Sequence, residues 1–267
     1  MQDIKIFNSQ TKQKQILKTV KPGMIQMYVC GMTVDGYCHI GHGRVMAFFD
    51  TAQSIFKHFG YQVNYVRNIT DIDDKIIAKA LSSNTHWQDV TTKFINNLHT
   101  DTTLLNLEKP TIEPKATENI QPIITMIQTL LEKNHAYIAK DNDIYFSVKS
   151  FENYGNLSNQ NLDQVTSNVR KTLSESKQNK LDFILWKQAK PNEPSWDSPW
   201  GKGRPGWHIE CSAMANRFIG KTIDIHGGGI DLKFPHHENE TAQSEAANNT
   251  KFVNCWMHVG HITTDSV

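Results

Sequence analysis

The segment Cys38-His39-Ile40-Gly41-His42-Gly43-Arg44 sets two imidazoles about one turn apart, among glycines, where a loop opens a helix. A helix start carries free N–H groups and the positive end of the macrodipole, which suits phosphate. Glycines let the backbone come close to a ligand. Paired imidazoles donate to an anionic phosphate and so stabilise the charge that builds during nucleophilic attack on an α-phosphate. Capping of the helix is the alternative use of the same two histidines.

A second group lies far along the chain: Trp207-His208-Ile209-Glu210-Cys211, then His226-Gly227-Gly228-Gly229-Ile230-Asp231, then Phe234-Pro235-His236-His237-Glu238-Asn239-Glu240. These segments supply thiol, imidazole and carboxylate. His236 and Glu240 are four apart, so on a helix opened by Pro235 they share a face and can grip one ion. With Cys30 and Cys211 the set becomes two thiolates, one imidazole and one carboxylate, a zinc-like donor set that argues against magnesium or calcium. The spacing is not a local Cys-x-x-Cys pattern, and a cysteine alone is more often a small buried hydrophobe, the reading kept for Cys38 and Cys255.

These side chains need a scaffold. Met24–Val29 has the apolar run of a buried strand, Gly43–Phe59 has helical spacing of Val45, Met46, Phe49, Ala52 and Phe56, and Val63–Ile69 predicts the next strand. That β-α-β rhythm predicts an α/β fold, a Rossmann-like parallel-sheet nucleotide-binding domain. Helices are expected at Trp87–Leu105 and Thr117–Lys133, a strand at Asp143–Val148, polar loop or surface at Lys149–Lys180, and a connection at Lys190–Gly206. The middle region therefore has the character of an inserted α+β connective region. The sheet rhythm resumes with a strand at Thr222–Ile225, a helix at His237–Asn248 and a strand at Phe252–Val259. The predicted division is 1–114, first half of the catalytic domain; 115–205, insertion; and 206–267, second half.

With 28 basic and 27 acidic residues, a net charge of +1 gives no global field toward nucleic acid or anionic membrane. No apolar window approaches a membrane span and no secretory signal opens the chain, so a cytoplasmic protein that does not contact membranes, and a monomer, is expected. Four cysteines are too few for a disulfide scaffold.

His39-Ile40-Gly41-His42 resembles the signature of class I aminoacyl-tRNA synthetases. Tyr28–Val34, Val66–Lys75, Trp207–Ser212, His226–Gly229 and Phe234–Glu240, in this order, are similar to the cysteinyl-tRNA synthetase family. The resemblance implies zinc at Cys30, Cys211, His236 and Glu240, with the ion recognising the substrate thiolate. It implies magnesium with ATP, and ATP, L-cysteine and tRNA(Cys) as partners. His39 and His42 would be catalytic. Together with Gly41 and Gly227, Gly228 and Gly229 they would embrace ATP, while Gly31, Thr33, Trp207 and Asp231 would line the amino-acid pocket. His226 is a candidate pyrophosphate or adenylate contact; His237 and Glu238 orient their neighbours. Trp207 as a core aromatic and Asp231 as a loop cap remain alternatives, as does a surface acidic turn for Asp71–Asp74, otherwise a loop near the substrate.

The family's Lys-Met-Ser-Lys-Ser segment is not found, and His258–Val267 is similar to the stretch that precedes it. A piece of a longer protein is expected, and a chain ending at Val267 is expected to adenylate cysteine poorly. Two competing readings are a ligase that passes activated cysteine to an amino-sugar and a zinc-stabilised binding module without catalysis.

Overall fold

The computed structural model describes residues 3–160 and 176–263. A hairpin of β1 (Lys5–Asn8) and β2 (Gln13–Ile16) leads into β3 (Met24–Val29), α1 (Ile40–His58) and β4 (Gln62–Arg67). Three helices follow, α2 (Asp74–Ser82), α3 (Trp87–Leu104) and α4 (Ile120–Glu132). Strands β5 (Ala136–Ile138), β6 (Ile144–Phe146), β7 (Phe183–Gln188) and β8 (Gly203–Pro205) form an antiparallel sheet in that order. The chain then runs through α5 (Trp207–Phe218), β9 (Ile223–Gly229), α6 (His236–Asn248) and β10 (Val253–Val259).

The main sheet has the order β10-β9-β3-β4, and every neighbouring pair is parallel. Such a sheet is covered on both faces, which explains why β3 is an uninterrupted apolar run rather than an alternating one. On one face Ile25, Met27 and Val29 pack with Phe49, Ala52 and Phe56 of α1. On the other, Tyr28 and Val66 meet Cys211, Met214 and Ala215 of α5. Burying a side chain such as Phe49 contributes about 1.5–3 kcal/mol. From β3 the chain turns outward to β4, and on its return enters on the opposite side as β9. The crevice beyond the carboxyl ends of β3 and β9 is thus a topological switch point, where open α/β sheets bind ligands.

The parallel α/β architecture agrees with the sequence reading, and β3 has the expected limits. Three of the differences bear on the site. Helix α1 starts at Ile40, three residues earlier than its apolar spacing suggests, because His39 caps it. Strand β9 continues beyond Ile225 through the glycines to Gly229, since it is paired on both sides by β3 and β10. Asp74 opens α2, and Asp73 caps it by accepting from Lys75 N at 2.8 Å, so the acidic cluster is partly helix. Of the predicted polar stretch Lys149–Lys180, residues 161–175 lie outside the described residues.

The antiparallel sheet is not walled off from the main body. Ile144, Phe146 and Leu185 share one core with Ile123, Ile127 and Leu130 of α4 and with Ile209 and Ala213 of α5 and Ala242 and Ala246 of α6. That core fixes the orientation of the two helices that enter the crevice from below.

Candidate functional site

A cavity of about 690 Å3 opens at the carboxyl ends of β3, β9 and β10. Cys30, Gly31, Thr33, His39, Gly41, His42, Trp207, Gly229 and Asp231 line it. At its floor four donors converge. Cys30 follows β3, Cys211 sits in the second turn of α5, and His236 and Glu240 occupy one face of α6, as their spacing predicts. All four are buried, and one ligand atom from each lies within 4.8 Å of the others.

The separations test whether an ion fits. Zinc bond lengths of about 2.3 Å to sulfur and about 2.05 Å to nitrogen or oxygen give tetrahedral edges of about 3.8 Å for two sulfurs, about 3.5 Å for mixed pairs and about 3.3 Å for nitrogen and oxygen. Cys30 Sγ lies 3.7 Å from Cys211 Sγ and 3.2 Å from Glu240 Oε1, and His236 Nε2 lies 3.1 Å from that oxygen. The donors therefore stand close to the corners of such a tetrahedron. Of the four, Cys30 lines the cavity, which gives the cluster its approach to a ligand there.

Protonation within the cluster follows from burial and pairing. Burial, with Cys211 beside it, pushes the Cys30 thiol well up, so Cys30 donates. Its hydrogen bond outweighs burial at Cys211 and brings that thiol down to about 6. Burial would lower His236, but Glu240 and Cys211 raise it to about 10. Burial would likewise raise Glu240, but His226 and His236 hold it well below the carboxylate range. A cation entering here displaces protons from Cys30 and His236.

Behind the donors stands a layer of histidines. His226 Nε2 is 2.8 Å from Glu240 Oε2, His208 Nδ1 is 2.9 Å from His236 Nδ1, and His237 Nδ1 is 2.8 Å from His258 Nε2. His226 is fully buried against Trp256 and outside the cavity lining, with Glu240 as its polar contact. Gly227 and Gly228 are likewise outside the lining, and only Gly229 of the run borders the cavity. At Gly227 a Cβ would meet Phe49 Cζ at 2.2 Å; that glycine serves the packing of α1 against β9.

The His39-Ile40-Gly41-His42 segment caps α1 and faces the cavity at once. His39 Nδ1 accepts from Gly41 N at 3.1 Å and His42 N at 3.4 Å, His42 Nδ1 accepts from His39 N at 3.3 Å, and the rings stack with centroids 3.6 Å apart. The amides that would serve phosphate are thus held by the His39 ring. Burial, then His39, keeps His42 below the ordinary imidazole value.

Trp207 opens α5 with its ring 4.3 Å from that of His236, 38% exposed, so it is a cavity wall rather than a core aromatic. Gly31 is required where it stands. A Cβ there would fall 1.7 Å from Asn68 O, while Gly31 N donates to Asn68 Oδ1 at 3.0 Å. Asn68, Arg67 and Lys75 also line the cavity, and sequence reasoning gave none of them a role of its own. Asn68 holds the β3 and β4 loops together; Arg67 is braced by Glu113 at 2.7 Å. The acidic cluster does not gather round an ion: Asp71 accepts from Thr117 N and Oγ1, and Asp74 pairs with Arg204 and Lys187.

The fold that carries this cavity has counterparts among solved structures. The Mycobacterium tuberculosis methionyl-tRNA synthetase in complex with methionyl-adenylate is similar with a TM-score of 0.67 at 10% identity, over 89% of this chain and 57% of that one. The fold is that of the Rossmann-type catalytic domain of class I synthetases. Within that class the assignment narrows: the family profile of tRNA synthetases class I (C) catalytic domain matches residues 16–267, and the chain belongs to that family. It is 53% identical over 262 residues to the cysteine–tRNA ligase of Shewanella sp. (strain W3-18-1), covering 98% of this chain and 57% of that protein. It is 52% identical to the cysteine–tRNA ligase of Hydrogenovibrio crunogenus (strain DSM 25203 / XCL-2), covering 58% of it. The chain therefore spans less than three fifths of the length of these curated relatives. Among the described residues no helix is long and apolar enough to cross a membrane.

Proposed function

We propose that this chain is the catalytic part of a cysteine–tRNA ligase, which joins cysteine to ATP and then to tRNA(Cys), and that Cys30, Cys211, His236 and Glu240 hold zinc. The observation that carries this reading is that Cys30, a donor of the buried cluster, and His39 and His42 line one cavity. A ligand held there presents its thiol to the donor cluster and its carboxylate toward the paired histidines. The proposed organisation is 1–114 and 206–267 as the two halves of the catalytic domain, with 115–205 between them.

In this mechanism the cysteine carboxylate attacks the ATP α-phosphorus, the bond to the bridging oxygen breaks and pyrophosphate leaves, with magnesium accompanying ATP. His39 and His42 donate to the phosphoryl oxygens as charge builds, and Gly41 N, released from the His39 ring, adds a donor. Trp207 and Asp231 flank the amino acid, and Gly31 keeps the floor of the pocket low. A terminal ribose hydroxyl of tRNA then attacks the carbonyl and releases AMP.

Zinc, when bound, supplies a Lewis acid that takes thiolate in preference to hydroxyl and lowers the thiol pKa. Cysteine and serine are similar in size, and a pocket that discriminates by shape separates near-isosteres only about 10 to 200-fold. Chemistry at the donor cluster, not shape, then rejects serine. The test is calorimetric titration of the zinc-loaded chain with cysteinyl- and seryl-sulfamoyl adenosine. Heat from the cysteinyl compound and none from the seryl one is expected; equal affinity for both, or no heat from either, would overturn the reading.

A further inference from the structure

His237 carries no role in the proposed reaction, yet it ends a relay of close contacts. Ser9 Oγ lies 2.5 Å from His258 Nδ1, and His258 Nε2 lies 2.8 Å from His237 Nδ1. The other ring nitrogen of His237, Nε2, is left over. That atom is fully buried, has no hydrogen-bond partner among the described residues, and stands 4.0 Å from Glu240 Oε1. A cation between these two atoms would take both as ligands. Gly228 leaves the room: a Cβ there would sit 3.3 Å from His237 Nε2.

Three further donors surround the same space. Ligand atoms of Cys30, His226, His237 and Glu240 all lie within 4.8 Å of one another, the same closeness found for Cys30, Cys211, His236 and Glu240. His226 Nε2 lies 2.8 Å from Glu240 Oε2, so a cation beside that oxygen is within reach of the ring nitrogen, which would exchange its hydrogen bond for the ion. The two tetrads share Cys30 and Glu240.

We propose that the buried cluster has a second position for a zinc-like divalent cation, built from Cys30, His226, His237 and Glu240, which one ion reaches by exchanging Cys211 and His236 for the two histidines. Cys30 and Glu240 stay bound throughout, so the ion never leaves its ligands. The second position has one thiolate where the first has two, and it lies on the side of the cluster that His258 and Ser9 connect to β1. This inference rests on the metal reading given above.

Cobalt(II) reports both positions, because thiolate-to-cobalt absorption scales with the number of thiolates and d–d bands report tetrahedral geometry. The chain carrying Cys211→Ala with His236→Ala should still bind one cobalt per chain, tetrahedrally, with about half the thiolate absorption of the parent. Adding His237→Ala should weaken that binding about 100-fold. Should the double variant fail to fold, cadmium-113 resonance of the unsubstituted chain replaces it: a one-thiolate signal beside the two-thiolate signal, lost in His237→Ala, is expected. A double variant whose circular dichroism matches the chelated parent but which takes up no cobalt overturns the proposal, as does cobalt binding indifferent to His237→Ala or a lone two-thiolate cadmium signal. Failure of the underlying reading is distinct, for then the parent itself binds no cobalt.

Discussion

Replacing Cys30 with serine isolates the contribution of the donor that joins the buried cluster to the cavity. Serine is nearly isosteric, and its hydroxyl can still donate to Glu240 Oε1, as the Cys30 thiol does at 3.2 Å. Without metal, the variant should melt within about 1–2 °C of the parent, as a conservative change usually costs less than about 0.5 kcal/mol. With metal the two should separate. Structural zinc sites contribute about 10–16 kcal/mol over four ligands, so one lost thiolate is worth about 3 kcal/mol, or about 100-fold in affinity. At saturating zinc that loss removes about 2.7 kcal/mol of ligand-linked stabilisation, which lowers Tm by about 5–10 °C in a chain of this size. Melting of parent and Cys30→Ser chains in chelator and in zinc, followed by cobalt absorption, reads both quantities. If zinc raised the Tm of the variant as far as that of the parent, or if the cobalt form kept two-thiolate absorption, Cys30 would not be a ligand and the link between cluster and cavity would fail.

Loss of the His226 imidazole in His226→Ala should weaken zinc about 10 to 100-fold in a chelator competition, because Glu240 loses the partner that orients it. Gly31→Ala should destabilise the fold by about 3 kcal/mol, seen as a lower urea midpoint, since the new methyl lands 1.7 Å from Asn68 O and neither backbone can yield cheaply. His39→Ala should cost about 1 kcal/mol through the lost cap on Gly41 N and His42 N, measured by the same urea midpoint, and should abolish most cysteine-dependent pyrophosphate exchange in a protein of the relatives' full length. Acid should destabilise the metal-free chain: burial, then His226, brings His258 down to about 3, so the folded state binds fewer protons than the unfolded one. That stability is whole above about pH 6.5 and drains as pH falls, with His258 alone accounting for about 2 kcal/mol by pH 5 in chelator-treated urea titrations.

How much of this was legible in the sequence depends on the kind of signal each part leaves. Strand β3 and helix α3 declared themselves through apolar runs and helical spacing, and the parallel sheet followed from the alternation of β3, α1 and β4. Helix α6 was legible as a helix, from about His237 to Asn248, but not as a buried one. Almost all of it is buried although it is polar: Glu238 accepts from Gly155 N and Ser158 N, Asn239 from Tyr154 OH, and Gln243 Nε2 donates to Ser212 Oγ. Periodicity of hydrophobic residues has nothing to report where burial is satisfied by hydrogen bonds. The convergence of Cys30 with Cys211 is likewise invisible to spacing, because parallel strand order brings them together; resemblance to a family supplied it. Conversely, the glycines after His226 read as a ligand-binding loop, and all three instead sit within a central strand, where absence of a side chain at the first two lets Phe49 and His237 close in.

The two sulfurs that meet across 3.7 Å are 181 residues apart along the chain. An ion held between them would tie the opening third of the polypeptide to its closing third, with the whole antiparallel sheet looped out between. Such a tie forms only once both halves have folded, so metal capture should come late in maturation and report on it. It also tolerates change in the intervening segment, for doubling a loop that long adds only about 0.6 kcal/mol to its closure. The region between the halves is accordingly the place where related chains can gain or lose length while the chemistry beneath the cavity stays the same.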